Sequence, residues 1–349
     1  MKIISVGTAF PKYEYTQRQL TEALLHVWKK KYFNVERLRL LHQNLLVGTR
    51  RFCIPLEEIA ELQGLESRTN HYITHAVNLG EEAIFNALET VGLWPDQVDH
   101  LFFTSVTGIA TPSIDARLVN RLKMKNSIRR TPIFGLGCLG GAAGIARAMD
   151  YVKAYPDHIA VLLSVELCSL TIQKNDLTIP NIVGTGLFGD GAAAVVIAGA
   201  NVELEGPKAI TTRSAFYPET ERIMGWDIVD EGFKIVLSPH VPKVVTTHAK
   251  TDVQIFLGAV GLSLEQIEHY ICHPGGPKVL EALQETLGIS AEKLKLSWQT
   301  LREMGNMSST SVLLVLKETM ERSNPETGDY GLLMAMGPGF CSEWVLLQW

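Results

Sequence analysis

Three polar side chains, far apart in the sequence, are of the types that carry acyl-transfer chemistry: Cys138, His273 and Asn306. Cys138 ends an apolar run and is followed by LGGAAG, which predicts a thiol at the start of a helix. Partial positive charge at a helix N-terminus lowers the pKa of a thiol, and the thiolate is the form that attacks a thioester. The set is therefore a candidate acyl-transfer site, provided that the fold brings its members together.

Each member of this set has a task in a decarboxylative condensation. Cys138 would hold the acyl group as a thioester, and His273 would keep the thiol ionised as an imidazolium partner. When a malonyl thioester loses carbon dioxide, negative charge builds on its thioester oxygen, which His273 and Asn306 could stabilise as hydrogen-bond donors. Structural alternatives stay open: a packed core thiol at Cys138, a satisfied core histidine at His273 and a helix N-cap at Asn306.

Short apolar runs bounded by turn residues predict buried strands, and helical apolar spacing predicts amphipathic helices. In the first half of the chain, the predicted strands are 100–108, 129–137, 158–167 and 191–199, and the predicted helices are 15–47 and 68–92. The second half repeats the alternation, with the strands IEHYICHP, YGLLMAMG and EWVLLQW and the helices GPKVLEALQETLG and MSSTSVLLVLKETM. We expect an α/β fold of two duplicated halves, 1–203 and 204–349, that share a large interface.

The same pattern places the candidate residues. His273 ends a predicted strand, and active groups of α/β sheets cluster at the carboxyl ends of strands. Asn306 follows a glycine and precedes a helix, where a side-chain amide can project into a cleft. Glycines inside a helix cost about 1 kcal/mol each, so GGAAG after Cys138 predicts a helix packed closely on all sides.

Composition excludes several classes of function. The 349 residues carry a net charge of −5, and the short basic clusters Lys29–Lys31, Arg50–Arg51 and Arg129–Arg130 do not form a nucleic-acid footprint. No window approaches the roughly 18 apolar residues of a membrane helix, so we expect a soluble protein without an integral membrane segment. Five cysteines without CxxC or metal-ligand spacing predict no disulfide framework and a reducing, cytoplasmic location.

Five motifs in order give the chain a whole-length resemblance to a known family. They are LGCLGGAAG around Cys138, GLFGDGAAAVV at 186–196, HPGGPKVL at 273–280, GNMSST at 305–310 and MGPGF at 336–340. The chain resembles the type III polyketide synthases, which include the chalcone and stilbene synthases. The resemblance implies a thiolase-like, layered α-β-α-β-α fold, a homodimer, a catalytic triad of Cys138, His273 and Asn306, and no metal or redox cofactor.

The resemblance also implies a reaction and a cavity. An acyl starter moves to Cys138, malonyl-CoA is decarboxylated repeatedly, and the chain cyclises to a pyrone or a resorcinol. Phe188 matches the first gate phenylalanine of the family, whereas Ile235 replaces the second and predicts a wider, more aliphatic gate. The other matched cavity positions are Thr107, Thr111, Cys168, Thr171, Ser308, Met336, Gly337, Pro338 and Gly339.

Substrate delivery and starter choice follow from the same comparison. Arg50 and Arg51 are the partial matches to the basic residues that bind CoA, so the starter could arrive on CoA or on an acyl carrier protein. The small side chains at Thr107, Thr111 and Cys168 predict an apolar tunnel, and SVELCSLT at 164–171 resembles bacterial members that take long fatty acyl starters to alkylpyrones or alkylresorcinols.

Three alternative functions share parts of this pattern. A ketoacyl synthase III performs a single condensation with the same triad, and the motifs HPGGP and GNMSS count against it. A thiolase needs a second catalytic cysteine, for which Cys341 is the nearest candidate. A non-enzymatic scaffold subunit normally lacks the nucleophile, which this chain retains.

Overall fold

The computed structural model describes residues 1–28 and 34–349, so the basic cluster Lys29–Lys31 and part of the predicted helix 15–47 lie outside the described residues. The strands are β1 (Lys2–Ala9), β2 (Tyr13–Thr16), β3 (Thr49–Phe52), β4 (His100–Ser105), β5 (Arg129–Phe134), β6 (Ile159–Leu167), β7 (Asp190–Ala198), β8 (Lys208–Phe216), β9 (Met224–Val229), β10 (Gly232–Leu237), β11 (Ile267–Cys272), β12 (Tyr330–Gly337) and β13 (Cys341–Gln348). The α-helices are α1 (Gln17–Trp28), α2 (Val35–Gln43), α3 (Leu56–Glu61), α4 (Gly64–Glu89), α5 (Ile114–Arg121), α6 (Gly140–Ala154), α7 (Ile179–Leu187), α8 (Val241–Gly258), α9 (Pro277–Leu287), α10 (Lys295–Met304) and α11 (Ser309–Arg322).

The main sheet consists of two halves with the same order of strand directions. In the first half, β1 pairs antiparallel with β7, β7 antiparallel with β6, and β6 parallel with β4, which pairs parallel with β5. In the second half, β8 pairs antiparallel with β13, β13 antiparallel with β12, and β12 parallel with β11. The two halves of the sheet meet where Lys2 of β1 pairs antiparallel with Lys208 of β8. The predicted duplication of a layered α/β fold is confirmed.

Three clusters of buried apolar side chains define the layers. Helices α4 and α5 pack on the outer face of the first half of the sheet, and α8 and α9 pack on the outer face of the second half. Helices α6 and α11 lie between the two halves and contribute to a cluster with strands of both. The layers therefore alternate as α-β-α-β-α, with the helices that follow Cys138 and Asn306 in the central layer.

Glycine allows the two central helices to approach each other. A Cβ atom on Gly141 of α6 would lie 2.3 Å from the carbonyl oxygen of Ser309 in α11, and a Cβ atom on Gly144 would lie 2.4 Å from a methyl carbon of Leu162. The packing expected from GGAAG is thus confirmed for the first turns. The expectation that α6 is buried on all sides is wrong for its second half, where Arg147 and Asp150 are exposed.

The predicted strands of both halves are present, but the region 15–47 differs from its prediction. Residues 13–16 form β2, which pairs antiparallel with β3, and helical structure begins only at Gln17. Local apolar spacing could not reveal this pairing, because the partner strand lies more than thirty residues further along the chain. Similarly, the hairpin of β9 and β10 was not predicted, although it forms a wall of the candidate site.

Candidate active site

Cys138 lies in a tight turn between β5 and α6. The preceding Gly137 has φ +52°, and a Cβ atom there would lie 2.6 Å from the Cδ atom of Pro338, so both backbone conformation and space require glycine. The turn places the thiol two residues before Gly140, the first residue of α6, so it lies at the start of a helix as the sequence predicted, and the side chain is buried. Pro338 thereby brings the turn after β12 against the nucleophile.

Asn306 lies between α10 and α11, and its backbone and side chain are both held. Its N–H donates to the Leu187 carbonyl (2.9 Å), and its carbonyl accepts from the Gly189 N–H (3.0 Å). The side-chain Oδ1 accepts from the Ser308 N–H at 2.7 Å, and Nδ2 donates to the Gly275 carbonyl at 3.1 Å. One N–H of the amide remains for another acceptor. The N-cap position of α11 belongs to Ser308, so the alternative role of Asn306 as N-cap does not apply.

His273 follows β11 directly, and its N–H donates to the Met334 carbonyl at 2.9 Å. Both ring nitrogens are buried and have no hydrogen-bond partner among the described residues. A satisfied core histidine would have at least one such partner. The imidazole is therefore free to bond a group that enters the site, which supports the catalytic interpretation over the structural one.

The fold brings the segments that carry the three residues together. The Cys138 thiol interacts with the side chains of Ser308 and Asn306. Asn306 in turn bonds Gly275, two residues beyond His273. Ser308 adopts φ 49° and ψ −127°, a conformation that costs a non-glycine residue about 1–3 kcal/mol and is concentrated at functional sites.

Burial controls the protonation of the nucleophile and its partner. It raises the pKa of the Cys138 thiol to about 12 and lowers the pKa of His273 to about 3. The expectation of a lowered thiol pKa is therefore wrong for this conformation, because desolvation of the sulfur outweighs the helix end. Both groups are neutral at pH 7. Transfer of a proton from the sulfur to the imidazole leaves the net charge of the site unchanged. The thiolate and the imidazolium therefore form together, in one proton transfer.

A buried carboxylate, Glu166, lies behind the nucleophile and was not predicted. It accepts hydrogen bonds from the Thr107 hydroxyl (2.8 Å), the Val106 N–H (3.1 Å) and the Ser309 hydroxyl (2.5 Å). Burial raises its pKa. Because the Thr107 hydroxyl is bonded to Glu166 and also accepts the Leu167 N–H at 2.8 Å, it joins this network rather than standing free in a cavity.

A small pocket adjoins the predicted gate. Phe188, Ile235, Cys168 and Thr171 all line it, so the structure brings these four predicted residues together. Trp226 completes the wall: it lies opposite Ile235 in the hairpin, with its ring centroid 6.3 Å from that of Phe188. The cavity volume is only about 10 Å³, near the minimum for a single water molecule. The side chains that line this pocket therefore nearly fill it.

Met336 lines a second small pocket, with His273, Gly275 and Phe340. Gly337 lies against the Cys138 turn, since a Cβ atom there would be 2.6 Å from the Leu136 carbonyl oxygen. With Pro338 and Gly339 it forms the end of the hairpin of β12 and β13. The predicted loop therefore does form part of the site, on the side of His273 and not beside Cys168.

Three predicted residues lie elsewhere. Thr111 is exposed at the surface, before a cis peptide bond to Pro112, and does not line the cavity of its own chain. Arg50 is fully buried, so its guanidinium does not face a CoA phosphate at the surface. Arg51 is partly exposed and pairs with Glu14 at 2.8 Å.

Cys341, the candidate second cysteine of a thiolase, is partly buried. Its thiol donates to the Pro338 carbonyl at 3.5 Å, and burial raises its pKa to about 11. A neutral thiol held in a hydrogen bond to the hairpin end is poorly suited to act as a second base. This geometry does not favour thiolase chemistry.

Comparisons with known proteins agree with this geometry along the whole chain. The family model for the N-terminal domain of chalcone and stilbene synthases matches residues 1–201, and that for the C-terminal domain matches 209–349. The chain belongs to the chalcone and stilbene synthase family. It is a type III polyketide synthase, and hence an acyltransferase-type condensing enzyme.

Individual members of the family are similar over nearly their full length. A 1,3,6,8-tetrahydroxynaphthalene synthase of Streptomyces peucetius subsp. caesius is 44% identical, over 99% of this chain and 93% of that protein. A phloroglucinol synthase of Pseudomonas fluorescens is 31% identical over 97% of both chains. The crystal structure of the tetrahydroxynaphthalene synthase of Streptomyces coelicolor, a bacterial type III polyketide synthase, has a TM-score of 0.93 at 29% identity and covers 100% of this chain and 99% of that one.

The described residues offer neither a membrane span nor a metal cluster. Within 1–28 and 34–349, no helix is long and apolar enough to cross a membrane. The same ranges contain no group of three or more His, Cys, Asp or Glu side chains arranged to hold a metal ion.

Proposed function

We propose that this type III polyketide synthase holds its starter on Cys138, adds several malonyl-CoA units and cyclises the product. One observation carries the assignment of the triad: the buried imidazole of His273 has no partner among the described residues, and Gly275, two residues further along, accepts from an Asn306 amide whose orientation is fixed. Two hydrogen-bond donors that await an acceptor are the arrangement needed to stabilise an enolate.

The steps follow from these groups. The Cys138 sulfur attacks the starter carbonyl, the bond from that carbonyl to the CoA sulfur breaks, and the thiol proton passes through His273 to the departing CoA. Malonyl-CoA then loses carbon dioxide, and the electron pair of the broken bond becomes an enolate held by His273 and Asn306. The enolate carbon attacks the Cys138 thioester, a carbon–carbon bond forms and the thiolate leaves. Transfer of the extended chain back to Cys138 allows another round.

For the product, the first candidate is a polyhydroxylated aromatic ring without an alkyl chain. The relatives at 44% and 31% identity are named for such products, tetrahydroxynaphthalene and phloroglucinol. Such rings can be assembled from malonyl units alone.

A medium- or long-chain fatty acyl starter, leading to an alkylpyrone or alkylresorcinol, is the second candidate. The small side chains of Cys168 and Thr171 and the aliphatic Ile235 favour it, since they line one pocket with the gate residue Phe188. This candidate requires Trp226 or Ile235 to move when the acyl chain enters.

Mass spectrometry of products separates the candidates. Purified protein receives isotope-labelled malonyl-CoA either alone or with acyl-CoAs of increasing length. An aromatic product labelled at every carbon without added acyl-CoA supports the first candidate, and products that retain the unlabelled acyl chain support the second. A single extension per product would instead indicate a ketoacyl synthase III-like reaction. Absence of carbon dioxide release with every starter would indicate a scaffold subunit.

Three further parts of the proposal rest on family resemblance. The chain would act as a homodimer, which light scattering on the purified protein tests. It would need no metal or redox cofactor, so turnover should survive exhaustive chelation. The starter would arrive on CoA or on an acyl carrier protein, and parallel assays with both forms of one acyl group would identify the donor.

A further inference from the structure

Arg50 on β3 is a charged side chain in the interior of the protein. Its side chain is fully buried, yet none of the ion pairs among the described residues includes it. Nε and one terminal nitrogen have no hydrogen-bond partner. Burial of a cation without a counter-ion costs free energy, so we expect a specific interaction of the guanidinium to offset this cost.

The partners of Arg50 lie at the C-terminal end of α7. Its other terminal nitrogen donates to the carbonyls of Thr185 (3.3 Å) and Phe188 (3.5 Å). The last carbonyls of a helix lack partners within the helix and carry partial negative charge, which favours a cation. A guanidinium at this helix end is thus partly compensated by the helix itself.

The remaining carbonyls of this helix end have other donors. The Phe188 N–H bonds Gly184, the Gln17 side chain bonds Gly186 at 2.9 Å, and the Asn306 N–H bonds Leu187 at 2.9 Å. Arg50 donates to the two carbonyls that are left, those of Thr185 and Phe188. Without its guanidinium, these two carbonyls would lose their donor in the interior.

This helix end carries both functional segments of the site. Phe188 lines the gate pocket, and the adjacent Gly189 bonds the carbonyl of Asn306. Arg50 packs against the two segments joined by this hydrogen bond. A Cβ atom on Gly189 would be 3.1 Å from the Cβ atom of Arg50, and a Cβ atom on Gly305 would be 3.8 Å from it. A shift of the helix end would therefore move the gate and the catalytic amide together.

We infer that Arg50 is a positioning residue, which holds the C-terminal end of α7 and through it fixes Phe188 and Asn306. The inference rests on the proposed function, because it assigns Arg50 to the same site. It also replaces the CoA-binding role that the sequence suggested for this residue.

The test compares Arg50→Lys, which keeps the charge but not the planar fork, with Arg50→Met, which removes the charge. Each variant is assayed with malonyl-CoA and with malonyl-pantetheine, which lacks the nucleotide phosphates. We expect kcat for condensation to fall about 10- to 100-fold on both substrates, the scale of a small misplacement of reacting groups. KM should change equally for the two. Hydrogen exchange of the amides of Phe188, Gly189 and Asn306 should accelerate, even in an Arg50→Lys protein that remains folded.

Two control variants separate positioning from general effects. Leu88→Ala removes a buried side chain of α4, in the core between this helix and the first half of the sheet, and provides a matched loss of melting temperature. Arg121→Met removes an exposed arginine and should leave turnover unchanged. A rate loss no greater than that of Leu88→Ala at equal melting temperature, with unaltered hydrogen exchange, would overturn the inference. So would a rise in KM confined to malonyl-CoA, which would indicate a phosphate contact. If the wild-type protein releases no carbon dioxide, the proposed function itself fails and the inference fails with it.

Discussion

The substitution Asn306→Asp tests how the site stabilises the enolate. The new side chain has almost the same size and keeps an oxygen acceptor for the Ser308 N–H, which lies 2.7 Å from Asn306 Oδ1 in the wild-type protein. An ionised carboxylate lacks both N–H groups of the wild-type amide: the one that donates to the Gly275 carbonyl at 3.1 Å and the one that remains for substrate. Negative charge then stands where the charge of the enolate develops. Loss of one such donor costs about 10²- to 10³-fold in rate, so we expect at least this decrease in decarboxylation at pH 7.

The pH dependence of this variant adds a second test with a definite sign. Burial raises the pKa of a carboxyl group, and the neutral form regains an O–H donor. Activity of Asn306→Asp should therefore rise as the pH falls through the pKa of the introduced carboxyl. The wild-type amide does not titrate, so the wild-type profile should show no such recovery. Loss of the hydrogen bond to Gly275 should also lower the free energy of unfolding by about 1 kcal/mol.

Labelled malonyl-CoA gives the assay, because decarboxylation without condensation yields acetyl-CoA and carbon dioxide that can be counted separately from polyketide. Measurements between pH 5.5 and 8, each accompanied by a melting curve, separate chemistry from unfolding. Asn306→Ala is the matched control, since it removes the donor without adding a titratable group. Wild-type decarboxylation by Asn306→Asp at pH 7 would refute the assignment of the amide as an enolate donor.

Four more predictions follow from the described geometry. Cys138→Ala should abolish polyketide formation and acyl-enzyme detectable by mass spectrometry, and retained product would remove the nucleophile assignment. Trp226→Ala should open the gate pocket and lengthen the acyl starters accepted, whereas an unchanged preference in a panel of acyl-CoAs would show that this ring is not the wall. Gly141→Ala should lower the free energy of unfolding by about 1–3 kcal/mol in a urea titration, because its methyl group would lie 2.3 Å from a carbonyl oxygen of α11. The control Gly258→Ala, with open space around the new methyl group, should cost nothing in the same titration. Burial lowers the pKa of His42 to about 4, so its unfolding takes up a proton below pH 6.5, and this residue alone should lower stability by up to about 1.4 kcal/mol per pH unit as the pH falls from 6.5 to 4. His100 and His273 add slopes of the same sign, so His42→Gln should reduce the total slope by this share, and an unaltered slope would contradict the assignment.

Much of the framework could be predicted because it depends on local patterns. Apolar runs located strands next to members of the triad, and GGAAG predicted the close packing of α6, whereas only the structure identifies α11 as its partner. The order of strands and helices was sufficient for the duplication, since each half repeats the same units. The short hairpin that contains Trp226 was not predicted, although only Asp230 and Glu231 join its two strands.

The electrostatics of the site could not be derived from the positions of residues along the chain. A helix start after Cys138 suggested a lowered thiol pKa, but burial raises this pKa, and the groups near the sulfur, Glu166, Asn306 and Ser308, come from distant parts of the sequence. The same burial leaves His273 neutral. Desolvation depends on what surrounds a group in space, and sequence neighbours account for little of it.

By itself, the sequence determined the types of the reacting groups, the elements that carry them and the family to which they belong, because these depend on side-chain chemistry and on periodicity along one chain. The tertiary structure decided which way individual side chains face. Arg50 and Arg51 are adjacent and equally charged, yet one is buried behind the gate and the other pairs with Glu14. Successive residues of a strand point to opposite faces, and only the packing of β3 beside α7 determines which of the two faces the interior.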